Sequence, residues 1–235
     1  MGRAFEARKQ AKFKRWGKMA KMFTRIGKDI AIAVKTGGPN PEANARLRVV
    51  MQNAKGVNMP KDRVEAAIKR ASDKDTSSYE EIIYEGYGPH GVAILVETST
   101  DNINRTVANV RSYFTRGSGS LGTSGSLSFI FERKAVFRLL AEGLNLEELE
   151  LELIDFGATE VFEDENEIII YTEFEDFVTM QKALEDRKIN VISSEFQRFP
   201  LSTVEVTEEQ EAEINKLVDK FEEDDDVNVV YTNMA

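Results

Sequence analysis

The sequence predicts an α+β, multidomain chain with an N-terminal helical bundle, a central α+β domain and an inserted ferredoxin-like α+β domain. Three observations carry this. Apolar residues recur at three- and four-residue spacing through the first third, as on amphipathic helices. From residue 79 onward, short β-type runs alternate with helical stretches. Charge also divides sharply: residues 1–75 hold 19 Lys and Arg against 7 Asp and Glu, net +12, whereas residues 76–235 hold 12 against 34, net −22. An even spread of the whole-chain charge of −10 would leave about −3 in the first third.

Taken in order, Met19, Met22, Phe23, Ile26, Ile30 and Val34 predict a helix over Lys18–Lys35. The first fifteen residues are basic with less apolar periodicity, and they read as a loose arm that orders on a partner. Gly37-Gly38 stops the helix. Asn40-Pro41-Glu42 predicts the next start, with Asn as cap and Pro at the first helical position; Leu47, Val50, Met51 and Ala54 are its buried side. Asn58-Met59-Pro60 repeats the signal for a third helix burying Val64, Ala67, Ile68 and Ala71. Residues 1–75 form this bundle, and Ala71–Glu80 reads as a polar linker.

The central stretch Tyr84–Glu132 is the expected hub. A strand turns at Gly86-Tyr87-Gly88-Pro89, and Val92–Val96 is a buried strand. Asp101-Asn102 caps a helix from about Asn104 to Arg116. A Gly/Ser loop follows, and Leu127–Phe131 reads as another strand. Strand Ala135–Leu140, helix Leu146–Phe156, strands Thr159–Phe162 and Ile168–Tyr171, helix Phe174–Arg187 and strand Val191–Phe199 follow in βαββαβ order, the ferredoxin-like sequence of elements. A final helix, Glu208–Glu223, and strand, Val227–Tyr231, cannot bury enough surface alone. They are expected to return to the central sheet. The expected domains are therefore 1–75, 79–132 plus 204–235, and 133–203 as the insert.

Composition excludes several classes. With no cysteine there is no disulfide framework, thiolate metal site or thiol nucleophile. No apolar run approaches the roughly 18 residues of a membrane span, no signal-peptide h-region opens the chain, and Glu6 stands where a myristoylation motif needs Ser or Thr. A cytoplasmic protein, or the matrix form of an organelle protein, is expected.

Gly117, Gly119 and Gly122 spell G-x-G-x-x-G, but a helix precedes it and a strand follows, the reverse of a dinucleotide loop. A C-capping glycine and a connecting loop account for it. His90, the only histidine, excludes a His-based triad or multi-His metal site and reads as a turn residue. No carboxylate pair stands out for acid–base work. The acidic run Glu222–Asp226 has no EF-hand spacing and reads as solvated. No catalytic residue, cofactor or metal is expected.

The cations point instead to a polyanion. Arg8, Lys9, Lys12, Lys14, Arg15, Lys18, Lys21, Arg25 and Lys28 punctuate the first helix, and Trp16 either stacks on a base or anchors the arm. Arg46 and Arg48 lie on the second helix. Lys61 and Arg63 open a third helix that could act as the recognition helix of a helix-turn-helix. A second cluster, Asn104, Arg105 and Arg111, stands beside the Gly/Ser loop in an otherwise acidic body. It serves either as a second phosphate contact or as the partner of Glu97, Asp101 or the C-terminal acids. A rival reading is a protein scaffold whose basic bundle docks on an acidic partner.

Six segments carry a family resemblance: Arg46-Leu47-Arg48, Asn58-Met59-Pro60, Tyr84-Glu85-Gly86-Tyr87-Gly88-Pro89, Asp101-Asn102, Asn104-Arg105-Thr106 and Leu121-Gly122-Thr123-Ser124-Gly125-Ser126. The chain resembles the YebC family, described as probable transcriptional regulatory proteins, with mitochondrial relatives that are translational activators. The opening departs: Gly-Arg-Ala-Phe-Glu stands at residues 2–6, where most members begin Gly-His-Ser-Lys-Trp. The resemblance implies three domains and a non-enzymatic, nucleic-acid-binding regulator. It takes two forms, a DNA-binding transcriptional regulator or a translation factor associated with the ribosome and its RNA that relieves stalled elongation.

Overall fold

A computed structural model describes residues 3–73 and 78–235, with side chains from Met19 onward. Helix α1 (Arg3–Gly37) packs with α2 (Ala45–Gly56) and α3 (Lys61–Ser72). Their core holds Ile26, Ile30, Val34, Leu47, Val50, Ala54 and Val64. Two expectations change here. The arm expected to be loose has helical backbone from Arg3. Its Ala, Lys, Arg and Gln content favours helix, and no proline interrupts it. The second helix starts at Ala45, while Asn40–Ala43 forms a turn. Buried Asn44 decides this: its Oδ1 accepts from Leu47 N at 3.0 Å, and its Nδ2 donates to Ala33 O at 2.7 Å and Gly38 O at 2.9 Å. One side chain thus caps two helix ends, which Asn40 is not placed to do.

The first sheet has the order β3-β1-β2-β8, with β1 (Glu80–Tyr87), β2 (Ala93–Thr100), β3 (Ser120–Leu121) and β8 (Val227–Thr232) all antiparallel. Helices α4 (Ile103–Arg116) and α7 (Glu208–Glu222) cover one face, packing Val110, Phe114, Ile214, Leu217 and Phe221 on Tyr84, Ile94 and Val96. The C-terminal helix and strand therefore complete this sheet. On the other face, Leu127, Ile130 and Phe131 plug Ala93 and Leu95.

The strand expected at Leu127–Phe131 is not one. Leu127–Ile130 are turns, and Phe131 opens a ten-residue strand, β4 (Phe131–Leu140), four residues before the expected start at Ala135. The buried carboxylate of Glu85 accepts from Gly125 N at 2.9 Å and from Leu127 N at 2.6 Å. It holds the loop in a turn, so the apolar run is buried as a plug and not as a ladder.

The second sheet has the order β5-β6-β4-β7, with β5 (Ala158–Asp164), β6 (Glu167–Glu173) and β7 (Val191–Pro200). Helices α5 (Leu146–Ile154) and α6 (Phe177–Asp186) cover one face around Phe137, Leu139, Leu153, Ile168, Ile170, Met180 and Leu184. A short 3-10 turn, Phe174–Asp176, replaces the first turn expected of α6. The element order is ferredoxin-like.

Helix α2 covers the open edge of β7. Asn53 pairs with the strand as a neighbouring backbone would, Nδ2 donating to Ser194 O at 2.8 Å and Oδ1 accepting from Ser194 N at 2.9 Å. Gln52 Nε2 donates to Val191 O at 3.1 Å. An unpaired edge is thereby removed and the bundle is fixed to the insert. Gly56 permits the approach, since a Cβ there would stand 2.4 Å from Ile192 O.

Candidate nucleic-acid interface

The structure separates the predicted cations into groups with different environments. The side chains of Arg8, Lys9, Lys12, Lys14, Arg15 and Lys18 lie outside the described residues. Their backbone belongs to α1, in which Ile26 is the first buried side chain among those described. Lys21 is exposed and donates to Glu222 O, and Arg25 is half-buried on the same helix.

Lys28 is a correction. It is buried, and its ammonium donates to Ser99 O at 2.8 Å, to Asp225 O at 2.5 Å and to Asp226 Oδ1 at 3.4 Å. It ties α1 to the central sheet and presents no charge to a ligand. One turn along the helix from Arg25 lies Asp29. Burial, only partly offset by the Arg25 charge, pushes its carboxyl up to about 6.

On α2, Arg46 pairs with Glu81 at 2.6 Å, and Arg48 donates to Pro41 O at 2.9 Å and Glu42 O at 3.0 Å. Both stay exposed. On α3, Lys61 lies 3.6 Å from Glu65 and Arg63 sits over the Phe23 ring at 5.8 Å. Arg63 is exposed at the start of α3, with its guanidinium directed over a ring of α1.

The second predicted cluster has a different character. Asn102 caps α4, its side chain accepting from Arg105 N at 3.0 Å. Arg105 grips Asp226 Oδ2 through Nη2 at 2.7 Å and Nε at 3.2 Å, and Asp101 through Nη2 at 2.8 Å. These carboxylates raise its pKa further, the Asp226 hydrogen bond contributing most. Thr106 at 2.8 Å and Thr100 at 3.2 Å donate to the same Asp226 oxygen. Burial alone would raise the Asp226 carboxyl. The hydrogen bonds from Arg105 and Thr106 and the charge of Lys28 outweigh it and hold the group below its ordinary value. All three predicted residues are exposed on α4, but Arg105 is also paired with exposed Asp101 and buried Asp226.

Asp226 is the residue that sequence reasoning missed. The run Glu222–Asp226 was expected to be solvated, yet its last member is buried and joins α1, β2 and α4. Asp224 accepts from Tyr113 Oη at 2.9 Å and Asn109 Nδ2 at 3.1 Å. The one local signal is the apolar strand that starts at Val227, which draws the end of the run inward.

The glycine motif has a packing explanation. Gly117 N donates to Tyr113 O at 2.9 Å as the cap of α4, and Gly119 N donates to Phe114 O at 2.8 Å. A Cβ on Gly119 would stand 2.4 Å from Tyr87 O, so the residue lets two backbones touch. His90 has a positive φ of 60° in its turn and lies 2.9 Å from Glu213 on α7. An open cleft of about 780 Å³ between α4 and α7 mixes Arg116, Lys216 and Lys220 with Glu213, Asp219 and Glu223. Among the described residues, no cluster of three or more His, Asp or Glu is arranged to hold a metal. No helix of the described residues is long and apolar enough to cross a membrane.

Comparison with known proteins decides the lineage. Residues 3–74 match the model of the TACO1/YebC protein N-terminal domain, and residues 79–234 match that of the TACO1/YebC second and third domain. The chain belongs to the TACO1/YebC family. A probable transcriptional regulatory protein of Flavobacterium psychrophilum is 62% identical over 234 residues, covering 100% of this chain and 99% of the relative. One from Myxococcus xanthus is 54% identical over 240 residues, covering both chains fully. The crystal structure of a conserved hypothetical protein from Aquifex aeolicus superposes with a TM-score of 0.78 at 39% identity, over 92% of this chain and 90% of that one. The resemblance carried by the six sequence segments is thus borne out. Family and relatives point to a regulatory protein, and the multidomain α+β fold is that of the TACO1/YebC group.

Proposed function

We propose that this TACO1/YebC protein is a non-catalytic, cytoplasmic, nucleic-acid-binding regulator of gene expression, acting on DNA as a transcriptional regulator. The observation that carries the reading is the net +12 of residues 1–75, gathered on a bundle whose first helix alone runs 35 residues. Lys and Arg along such a helix neutralise phosphates without special geometry. The names of the relatives, probable transcriptional regulatory proteins, support the choice of DNA. In this reading residues 1–75 grip the polyanion. The unit 79–132 plus 204–235 positions the bundle through Lys28 and Asp226, and Asn104 and Arg111 add a minor contact. The acidic insert 133–203 stays clear of the phosphates.

A second reading within the same class is a factor associated with the ribosome and its RNA that relieves stalled elongation. The charge of residues 1–75 supports it equally, because a phosphate grip serves RNA as well as DNA. Crosslinking in cells followed by sequencing of the bound nucleic acid distinguishes the two. Discrete promoter DNA is the expected recovery, and ribosomal RNA in its place would transfer the conclusion to translation. Recovery of neither would contradict both.

A further inference from the structure

The outer face of the insert's helix pair does not suit a fully solvated surface. Leu151 is 71% exposed, Ile154 54% and Val178 74%. Helix α5 buries Leu149 and Leu153, so at 3.6 residues per turn Glu147, Glu150, Leu151 and Ile154 share the opposite stripe. Helix α6 buries Met180, Ala183 and Leu184 and turns Val178 outward. Gly157, just beyond α5, lies against Asp176, which immediately precedes α6; a Cβ on the glycine would stand 2.6 Å from the carboxyl carbon. Ile154 precedes that contact by three residues and Val178 follows it by two, so the apolar side chains flank one junction. Exposed Glu147, Glu148, Glu150, Asp155 and Glu175 lie around them, against the single α6 cation Lys182 one turn from Val178. Large apolar groups inside an acidic rim mark an interaction surface for a basic segment with apolar anchors.

The chain itself contains such a segment. Residues 3–18 hold seven Lys and Arg against one Glu, with Phe5, Phe13 and Trp16 among them. They belong to a helix unbroken to Gly37, so roughly 30 Å of helix extends ahead of the bundle core. We propose that the α5–α6 face receives the basic arm of a second copy. Reciprocal docking closes a dimer in which each arm lies on the partner's acidic face. The association depends on salt, because the arm is attracted by exposed carboxylates.

Sedimentation velocity on the full chain tests this. Dimer is expected at about 50 mM salt and monomer at about 1 M, where screening reaches about 3 Å. The double variant Leu151→Asp, Val178→Asp changes exposed positions only and should weaken self-association at least about tenfold. A labelled peptide of residues 3–18 should bind wild-type chain and lose about the same factor against the variant. A monomer at every salt and concentration, or association and peptide binding untouched by the variant, would overturn the proposal. Nucleic-acid binding by the wild-type chain is measured in parallel. Its absence with self-association intact would sink the function proposed above and leave this dimer standing.

Discussion

Two basic regions stand out in the sequence, and the structure treats them differently. Helix α1 carries a long series of cations with few acids of its own. The α4 cluster looks equally basic by position, yet Arg105 is clasped by Asp101 and Asp226. Lys28, on α1 itself, is drawn into the same buried site. A count of local charge therefore overstates a surface wherever an acid 121 residues away, as Asp226 is from Arg105, has already taken up the cation. The longest series of cations left for a ligand is the part of α1 before Lys28, with exposed Arg46, Arg48 and Arg111 beside it.

The contrast breaks most directly at its internal side. Asp226→Ala leaves Lys28 buried without its carboxylate and removes the acceptor of Thr100 and Thr106, so the chain should lose about 3–5 kcal/mol in urea unfolding. A loss within about 0.5 kcal/mol, the range of ordinary surface changes, would mean that the site is not a structural tie. The linked pH effect has a definite sign. Asp226 is held below its ordinary value of 3.8, so its contribution is complete above that pH and is lost as the pH falls through the lower folded value. Asp226→Asn should flatten that acid limb of the stability profile.

On the ligand side, charge reversal at Lys12, Lys14, Arg15 and Lys18 should weaken nucleic-acid binding by at least about 100-fold at low salt, with unfolding unchanged. Titrations by fluorescence anisotropy would check this, and unchanged affinity would move the grip elsewhere.

A smaller effect lies between the two regions. The Asp29 carboxyl is raised to about 6, so its ionisation costs folded-state stability as the pH rises from about 4 to about 6, and the cost is constant above that. Partial solvent access reduces the cost to about 1 kcal/mol. Asp29→Asn should be more stable than wild type by that amount at pH 8 and lose the advantage below pH 4, as thermal unfolding at the two pH values would show. The least effect is expected from Arg111→Ala, which should change nucleic-acid affinity by no more than about threefold. A larger loss would restore α4 as a main contact.

Much of the fold was legible because it rests on local signals. The three-four periodicity of Met19–Val34, the Asn102 cap and the βαββαβ order of residues 135–199 each follow from neighbouring residues. The return of Val227–Tyr231 to the central sheet was legible from energetics, since that pair had no core of its own. Asn44 was missed because its capping role depends on the two helix ends it joins. The Leu127–Ile130 plug was missed because Glu85, distant in sequence, sets its turns. The candidate site was legible only as charge. Which cations face outward depends on long-range partners, and neither the Lys28–Asp226 contact nor the Arg105–Asp226 pair leaves a trace in local sequence.

The central claim is that α1 grips phosphates through its N-terminal cations. The salt dependence of binding to duplex DNA by the full chain tests it most directly. Neutralising about six phosphates gives a log–log slope of roughly −5. The variant reversed at Lys12, Lys14, Arg15 and Lys18 should lose most of that slope. A wild-type affinity that is flat with salt would contradict the account.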